Sequence, residues 1–337
     1  MIDERRQSGF QKNPRLEALL KELNERLAPV QREINASHRM PTRPLVLVVG
    51  CPRSGTTLLL QWLAGTGAFA YPSNFLSRFY AAPFVGAQIQ QMLADPAYAH
   101  GHELGAMADP VGYASALGKT EGPWSPNEFW YFWRRFIPNE YPEFVAPEDL
   151  ARVDAAGMLA ELAALESVFE KPWAMKGMIL QQNAAFLAEA LPPAIFLRIR
   201  RDPFYAMQSL LEARERFFGD RAAWYSVKPR EFAALEAADP FQQVAGQVFH
   251  VNRGLDRERA RIEPERWIDV RYESFCAEPA ALARELAERM ATRGCPIEIA
   301  GRGPEAFEAT DEVRLPREDC ERLVEAYAAL SGEDVSP

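Results

Sequence analysis

Residues 45–62 read Leu45-Val46-Leu47-Val48-Val49-Gly50-Cys51-Pro52-Arg53-Ser54-Gly55-Thr56-Thr57-Leu58-Leu59-Leu60-Gln61-Trp62. The continuous apolar, valine-rich run up to Gly50 predicts a strand buried on both faces, the kind found in a parallel sheet. A second apolar run, from Thr57, has helical character. Between them lies a tight loop with Gly50 and Gly55 five positions apart and hydroxyls at its exit. Strand, glycine-bearing loop and helix together make a phosphate cradle, because loop N–H groups and the helix N-terminus converge on an anion. The spacing is that of a Walker A loop, and Thr57 stands at its Ser/Thr position, but Thr56 occupies the place of the lysine. The nearest cation is Arg53, inside the loop. A phosphate-like group is therefore expected here, held differently from the way an ordinary ATP or GTP enzyme holds it. The competing reading is a strand-to-helix turn that binds nothing.

The surrounding totals narrow the class. A chain of 337 residues with 48% hydrophobic content supports a substantial α/β core. The formal net charge of −9 argues against a polyanion binder, so no nucleic-acid partner is expected and any anion site must be a local basic cluster. Cys51, Cys276, Cys295 and Cys320 form no close pair and, with the few histidines, no metal-type spacing. A reducing, cytoplasmic setting and the absence of a structural metal are the expectations. The polar start, Met1 to Asn13, has no signal-peptide pattern, and no apolar run is long enough to span a bilayer.

Along the chain, residues 14–36 are expected to form a helix that Pro29 ends or kinks, serving either packing within the chain or pairing of two copies. Residues 1–40 are read as a helical extension and 41–337 as one α/β domain. Ala68 to Tyr71 suggest a second strand or its stub. The stretch 73–140 reads as a lid over the sheet that binds the acceptor, with an aromatic cluster from Trp124 to Trp133 that suits a core or a pocket for a sugar ring or lipid-like surface. A helix over 148–170, a strand over 173–178, a helix over 182–190 and a strand over 194–200 follow. Asp202 and Pro203 then start a helix that ends at Gly219. A helix over 239–262, a strand over 266–272 and helices over 279–292 and 316–330 close the chain. Alternating strands and helices imply a mostly parallel central sheet flanked by helices.

Arg198, Arg200 and Arg201 sit at a strand end just before a capped helix, where open α/β sheets bind ligands. Ser209 lies eight residues beyond Arg201, and Arg214 further along the same helix. A guanidinium there grips a phosphate two-pronged and a hydroxyl adds a bond. Arg198 is read instead as paired with a surface acid such as Asp202 or Glu212.

With these residues the sequence resembles the sulfotransferases that use 3′-phosphoadenosine 5′-phosphosulfate. The matching patches are the Pro-Arg-Ser-Gly-Thr-Thr loop, the Arg-Asp-Pro followed by Ser209, and Arg271-Tyr272-Glu273-Ser274-Phe275, which is similar to a Tyr-Glu segment of the bacterial and tyrosylprotein branches. The resemblance implies a P-loop sulfotransferase-like fold and in-line transfer of a sulfuryl group to a hydroxyl or amine. It implies that Arg53, Ser54, Gly55, Thr56 and Thr57 hold the 5′-phosphosulfate, that Arg201 and Ser209, with Arg214, hold the 3′-phosphate, and that Tyr272 lies near the donor. Lys176 matches a strand lysine close to the transferring group in relatives.

The proton acceptor departs from the family. Cytosolic sulfotransferases use a histidine in a strand shortly before the arginine motif, and Met175-Lys176-Gly177-Met178 has none. The tyrosylprotein branch uses a glutamate past the loop arginine, and Tyr71-Pro72-Ser73-Asn74-Phe75 offers no acid. Glu128 is the favoured candidate, then Glu121, with His102 and His100 behind them. Each competes with the reading of a solvated surface group. Cys51, beside a helix N-terminus, sits where a thiol pKa is lowered, and is read as a spectator. Two alternatives stay open on the sequence alone, a non-catalytic nucleotide-binding relative and an atypical P-loop kinase.

Overall fold

Val46–Gly50 forms strand β1, buried along its whole length. It is joined by β2 (Ala174–Lys176), β3 (Ile195–Arg200) and β4 (Trp267–Arg271). The sheet order is β2-β1-β3-β4. All pairings are parallel, with Val46 opposite both Ala174 and Ile195, and Phe196 opposite Trp267. The computed structural model describes residues 5–98, 112–138, 144–299, 303–333 and 335.

Parallel strands need crossovers, and the crossovers cover both faces with helices. The longer helices are α1 (Pro14–Asn35), α2 (Thr56–Gly65), α3 (Pro83–Ala94), α4 (Ala155–Phe169), α5 (Pro203–Phe218), α6 (Pro240–Arg259), α7 (Pro279–Thr292) and α8 (Arg317–Ser331). Because strand side chains alternate, Leu47, Val49, Met175 and Phe196 face one core with α4, α5, α6 and α8. Val46, Val48, Ile195 and Leu197 face the other, with α2 and α7. Leu59 and Leu63 of α2 are wholly buried there, each worth roughly 2 kcal/mol.

Several expectations change. Helix α1 does not end at Pro29. It is fastened on both sides of the proline: Asn24 donates to the Arg78 carbonyl at 2.8 Å and accepts from the Ala81 amide at 2.7 Å, and Gln31 accepts from the Phe84 amide at 3.0 Å. These contacts tie α1 to residues 78–84. Residues 68–71 contribute one bridge, Ala70 to Trp173, and Pro72 removes the next donor. The helix expected over 148–170 is divided into the short Pro147–Leu150 and α4, which starts at Ala155 where Asp154 accepts from the Gly157 amide at 2.9 Å. Tyr272, expected as the last strand residue, opens the short helix Tyr272–Ala277. Among the described residues no helix is long and apolar enough to cross a membrane.

Candidate active site

The loop after β1 turns through two left-handed residues, Arg53 at φ +68° and Gly55 at φ +98°. A Cβ on Gly50 would lie 2.7 Å from the Ile199 carbonyl, and one on Gly55 2.6 Å from the Tyr272 ring, so both glycines are required by close approach. The Gly50 amide donates to Gln181 Oε1 at 3.1 Å, and Ser54 Oγ turns inward to the Cys51 carbonyl at 2.7 Å. Helix α2 begins at Thr56, so the N–H groups of its first turn have no acceptor within the helix. Cys51 is buried, and burial pushes its thiol well up rather than down, which corrects the expectation from its place near a helix start.

The second arginine stretch meets this loop. Asp202 caps α5 by accepting from the Phe204 amide at 2.8 Å, and its own amide donates to Glu273 at 3.2 Å. Eight residues make little over two helical turns, which returns Ser209 to the side of α5 nearest Arg201. Arg53 Nε donates to Ser209 Oγ at 2.9 Å, and Arg201 Nη1 donates to the Arg53 carbonyl at 3.2 Å. The Arg201 guanidinium lies over the Tyr272 ring, 4.8 Å from its centre. Its other nitrogens donate to Asp311 Oδ1 at 2.9 Å and to the Thr310 carbonyl at 2.6 Å. Burial, with Arg201 alongside, lowers the basicity of Arg53.

Lys176 at the end of β2 completes the cluster. Its ammonium donates to Thr57 Oγ1 at 2.9 Å and to Glu128 Oε1 at 2.8 Å. Lys176 is buried and Glu128 is half-exposed. Glu128 is aimed by its neighbours: Asn127 accepts from the Phe129 amide at 2.8 Å and donates its own amide to the Pro72 carbonyl at 2.7 Å. The aromatic stretch divides. Phe129 and Phe132 stack at 4.6 Å within the core with Trp133, whereas Trp130 faces a cavity of about 470 Å³ over Arg53, Thr57, Lys176 and Glu128. A wider cavity of about 960 Å³ shares Lys119, Glu128 and Trp130 with it.

Other expected residues are not part of this cluster. Arg214 is fully buried on the far part of α5, where it donates to Gln243 at 2.7 Å and to the Arg221 carbonyl at 3.2 Å and lies 5.0 Å from the centre of the Trp224 ring. Arg198 is also wholly buried and pairs with Asp256 at 2.6 Å, because Asp202 caps its helix and Glu212 holds Arg314. Glu121 is exposed and lines neither cavity. His102 and His100 lie outside the described residues. Two residues that spacing alone does not reveal also line the inner cavity: Gln181, which fixes the start of the loop, and Tyr225, which donates to the Leu117 carbonyl at 2.9 Å and ties down the hairpin Ser115–Thr120. No motif marks either one.

A family model described as "Sulfotransferase family" matches residues 44–293. The chain belongs to the sulfotransferase family. The match begins just before β1 and takes in the loop, Lys176, Arg201, Ser209 and Tyr272 of this sulfotransferase. Solved structures similar to the enzyme include sulfotransferase STF9 from Mycobacterium avium, 17% identical over 95% of this chain and 73% of that one, with a TM-score of 0.47. Sulfotransferase STF1 from Mycobacterium tuberculosis H37Rv is 15% identical over 91% of this chain and 82% of that one, with a TM-score of 0.49. The sulfotransferase domain of the Synechococcus PCC 7002 olefin synthase is 16% identical over 89% and 86%, with a TM-score of 0.40. Comparison with curated proteins gives no match.

Proposed function

We propose that this sulfotransferase takes its sulfuryl group from 3′-phosphoadenosine 5′-phosphosulfate and passes it to a hydroxyl or amine of a small-molecule acceptor. The observation that carries the reading is the 2.9 Å contact between Arg53 of the loop and Ser209 of the second stretch, with Arg201 one bond away. Two anion-binding pieces far apart in sequence form one continuous grip, which suits a donor with phosphate groups at two ends better than a single triphosphate.

The cradle fits such a donor. Glycines at positions 50 and 55 keep the loop clear of side chains, and the first N–H groups of α2 point outward as anion donors. Arg53, Gly55, Thr56 and Thr57 hold the 5′ end, with Ser54 shaping the loop from within. Arg201 and Ser209 hold the 3′-phosphate, and Tyr272 stacks beneath Arg201 and packs against Gly55. The donor supplies an activated sulfuryl group. Lys176 reaches Thr57 and Glu128 at once, so its ammonium lies between the anion cradle and the acid. It stabilises charge that builds at the bridging oxygen, in the manner of an oxyanion hole. Glu128 accepts the acceptor's proton from its half-exposed position at the junction of the two cavities. The acceptor enters through the wider cavity, whose volume and walls of Phe10, Phe75, Trp130 and Tyr131 suit a ring or lipid-like body.

Calorimetry tests the donor half. Adenosine 3′,5′-bisphosphate is expected to bind without a divalent metal. Binding of ATP alone, and only with magnesium, would overturn the reading. Transfer of labelled sulfate to a panel of phenols, sugars and amines tests the catalytic half, with Glu128→Gln as the control that binds donor but does not turn over.

A further inference from the structure

The stretch 303–316 runs as a strap along Arg201 and Tyr272 of the proposed donor site. Gln208 of α5 clasps its backbone, donating to the Glu312 carbonyl at 2.8 Å and accepting from the Arg314 amide at 2.7 Å. Arg314 forms a two-pronged pair with Glu212, both contacts at 2.8 Å. These bonds hold the strap by its C-terminal part. Nearer its start, the Phe307 amide donates to the Cys276 carbonyl at 2.7 Å and the Phe307 ring stacks on Phe275. Between these two anchors its contacts fall on the proposed 3′-phosphate site. Arg201 donates through Nε to Asp311 Oδ1 at 2.9 Å and through Nη2 to the Thr310 carbonyl at 2.6 Å, with Nη2 also 2.8 Å from Asp311 Oδ1 as an ion pair. The Thr310 amide donates to Tyr272 Oη at 3.3 Å. With Nη1 on the Arg53 carbonyl, every nitrogen of the Arg201 guanidinium has an acceptor from the chain itself. The pair is shielded: the side chains of Arg201 and Asp311 are 6% and 18% exposed.

We propose that Asp311 is a stand-in for the donor's 3′-phosphate, occupying Arg201 until a nucleotide bearing that phosphate displaces it. The inference rests on the donor reading above. A carboxylate and a phosphate present the same acceptor geometry to a guanidinium, but the phosphate brings more charge and a further oxygen, so the exchange favours it. A nucleotide without a 3′-phosphate has nothing to exchange and leaves the strap in place. Asp311 thereby lowers the affinity for every 3′-phosphorylated nucleotide, donor and spent product alike, and leaves that for nucleotides lacking the phosphate untouched. Only Thr310 and Asp311 need to move, because the bonds from Gln208 and Glu212 anchor the strap beyond them.

The test compares the full-length wild type with Asp311→Asn and Asp311→Ala, by calorimetry against adenosine 3′,5′-bisphosphate and adenosine 5′-monophosphate. Removing the internal competitor is expected to tighten bisphosphate binding by about tenfold, the scale of one charge-assisted contact, and to leave monophosphate binding unchanged. Unchanged or weaker bisphosphate binding by the folded variants overturns the proposal, since Asp311 then merely orients Arg201. Hydrogen exchange on the wild type decides independently of the variants. Bisphosphate is expected to speed exchange over residues 309–312, and slower exchange there would overturn the displacement. If the wild type binds no bisphosphate at all, the donor reading fails and the proposal falls with it, an outcome distinct from normal binding that ignores Asp311.

Discussion

Lys176 and Glu128 carry the chemistry proposed for this enzyme, and their exposures divide the work between them. Lys176 is buried at a strand end with Thr57 and Glu128 as partners, which makes it a fixed positive charge. Glu128 keeps a wet face toward the acceptor side. Glu128→Gln is expected to lower kcat by about 10²–10⁴, the usual worth of a general base, with bisphosphate affinity unchanged. Lys176→Ala should cost about 10²–10³ in kcat, the worth of one contact to developing charge. Steady-state rates with any acceptor that supports transfer, beside calorimetry, check both. Arg214 behaves differently despite lying on the same helix as Ser209. Burial lowers its basicity to about 10, and Gln243, Gln247 and the Arg221 carbonyl accept from it. Arg214→Ala leaves a cavity and unpaired acceptors, so it should destabilise the fold by about 2–4 kcal/mol while the folded protein binds bisphosphate normally. Denaturant unfolding and calorimetry separate the two effects.

At the scale of elements, the junction of β1, the loop and α2 is the part least tolerant of change. Gly55 is left-handed and lies under the Tyr272 ring, so the loop and the start of the helix Tyr272–Ala277 fix each other's position. Gly55→Ala meets both constraints together. It should cost about 1–3 kcal/mol in backbone strain and also weaken bisphosphate binding, because moving Tyr272 moves the platform beneath Arg201. Unfolding midpoints and calorimetry measure the pair of effects. A loss of stability with unchanged affinity would argue that the Tyr272 platform plays no part in donor binding.

For the whole molecule, alkaline pH probes the packing around two buried phenols. Burial pushes the phenols of Tyr71 and Tyr327 up to about 12. Their unfolded value is about 10, so the stability they contribute is complete below pH 10 and is lost as pH rises toward 12. Arg214 acts in the opposite sense, since its buried charge is relieved as pH rises through its lowered value. Tyr71→Phe isolates one contribution. Relative to wild type it should gain about 2–3 kcal/mol between pH 10 and 12, read from urea midpoints across that range. The parallel sheet, the anion loop and the capped start of α5 were legible in the sequence because each depends on local pattern: a buried apolar run, glycines at fixed spacing, an Asp-Pro helix start. The pairing of Arg53 with Ser209, 156 residues apart, was not legible, nor that of Lys176 with Glu128, 48 apart, nor that of Arg201 with Asp311, 110 apart. Sequence spacing describes how neighbours along the chain are arranged and says nothing of which distant side chains the packing brings together. For the same reason spacing does not show that tertiary bonds fasten α1 on both sides of Pro29, or that Arg214 lies buried against Gln243. The sequence by itself determined the class of fold and the sulfotransferase family to which the chain belongs. The tertiary structure decided which acid faces the cradle and which carboxylate sits on Arg201, because both are contacts between segments that meet only when the sheet is assembled.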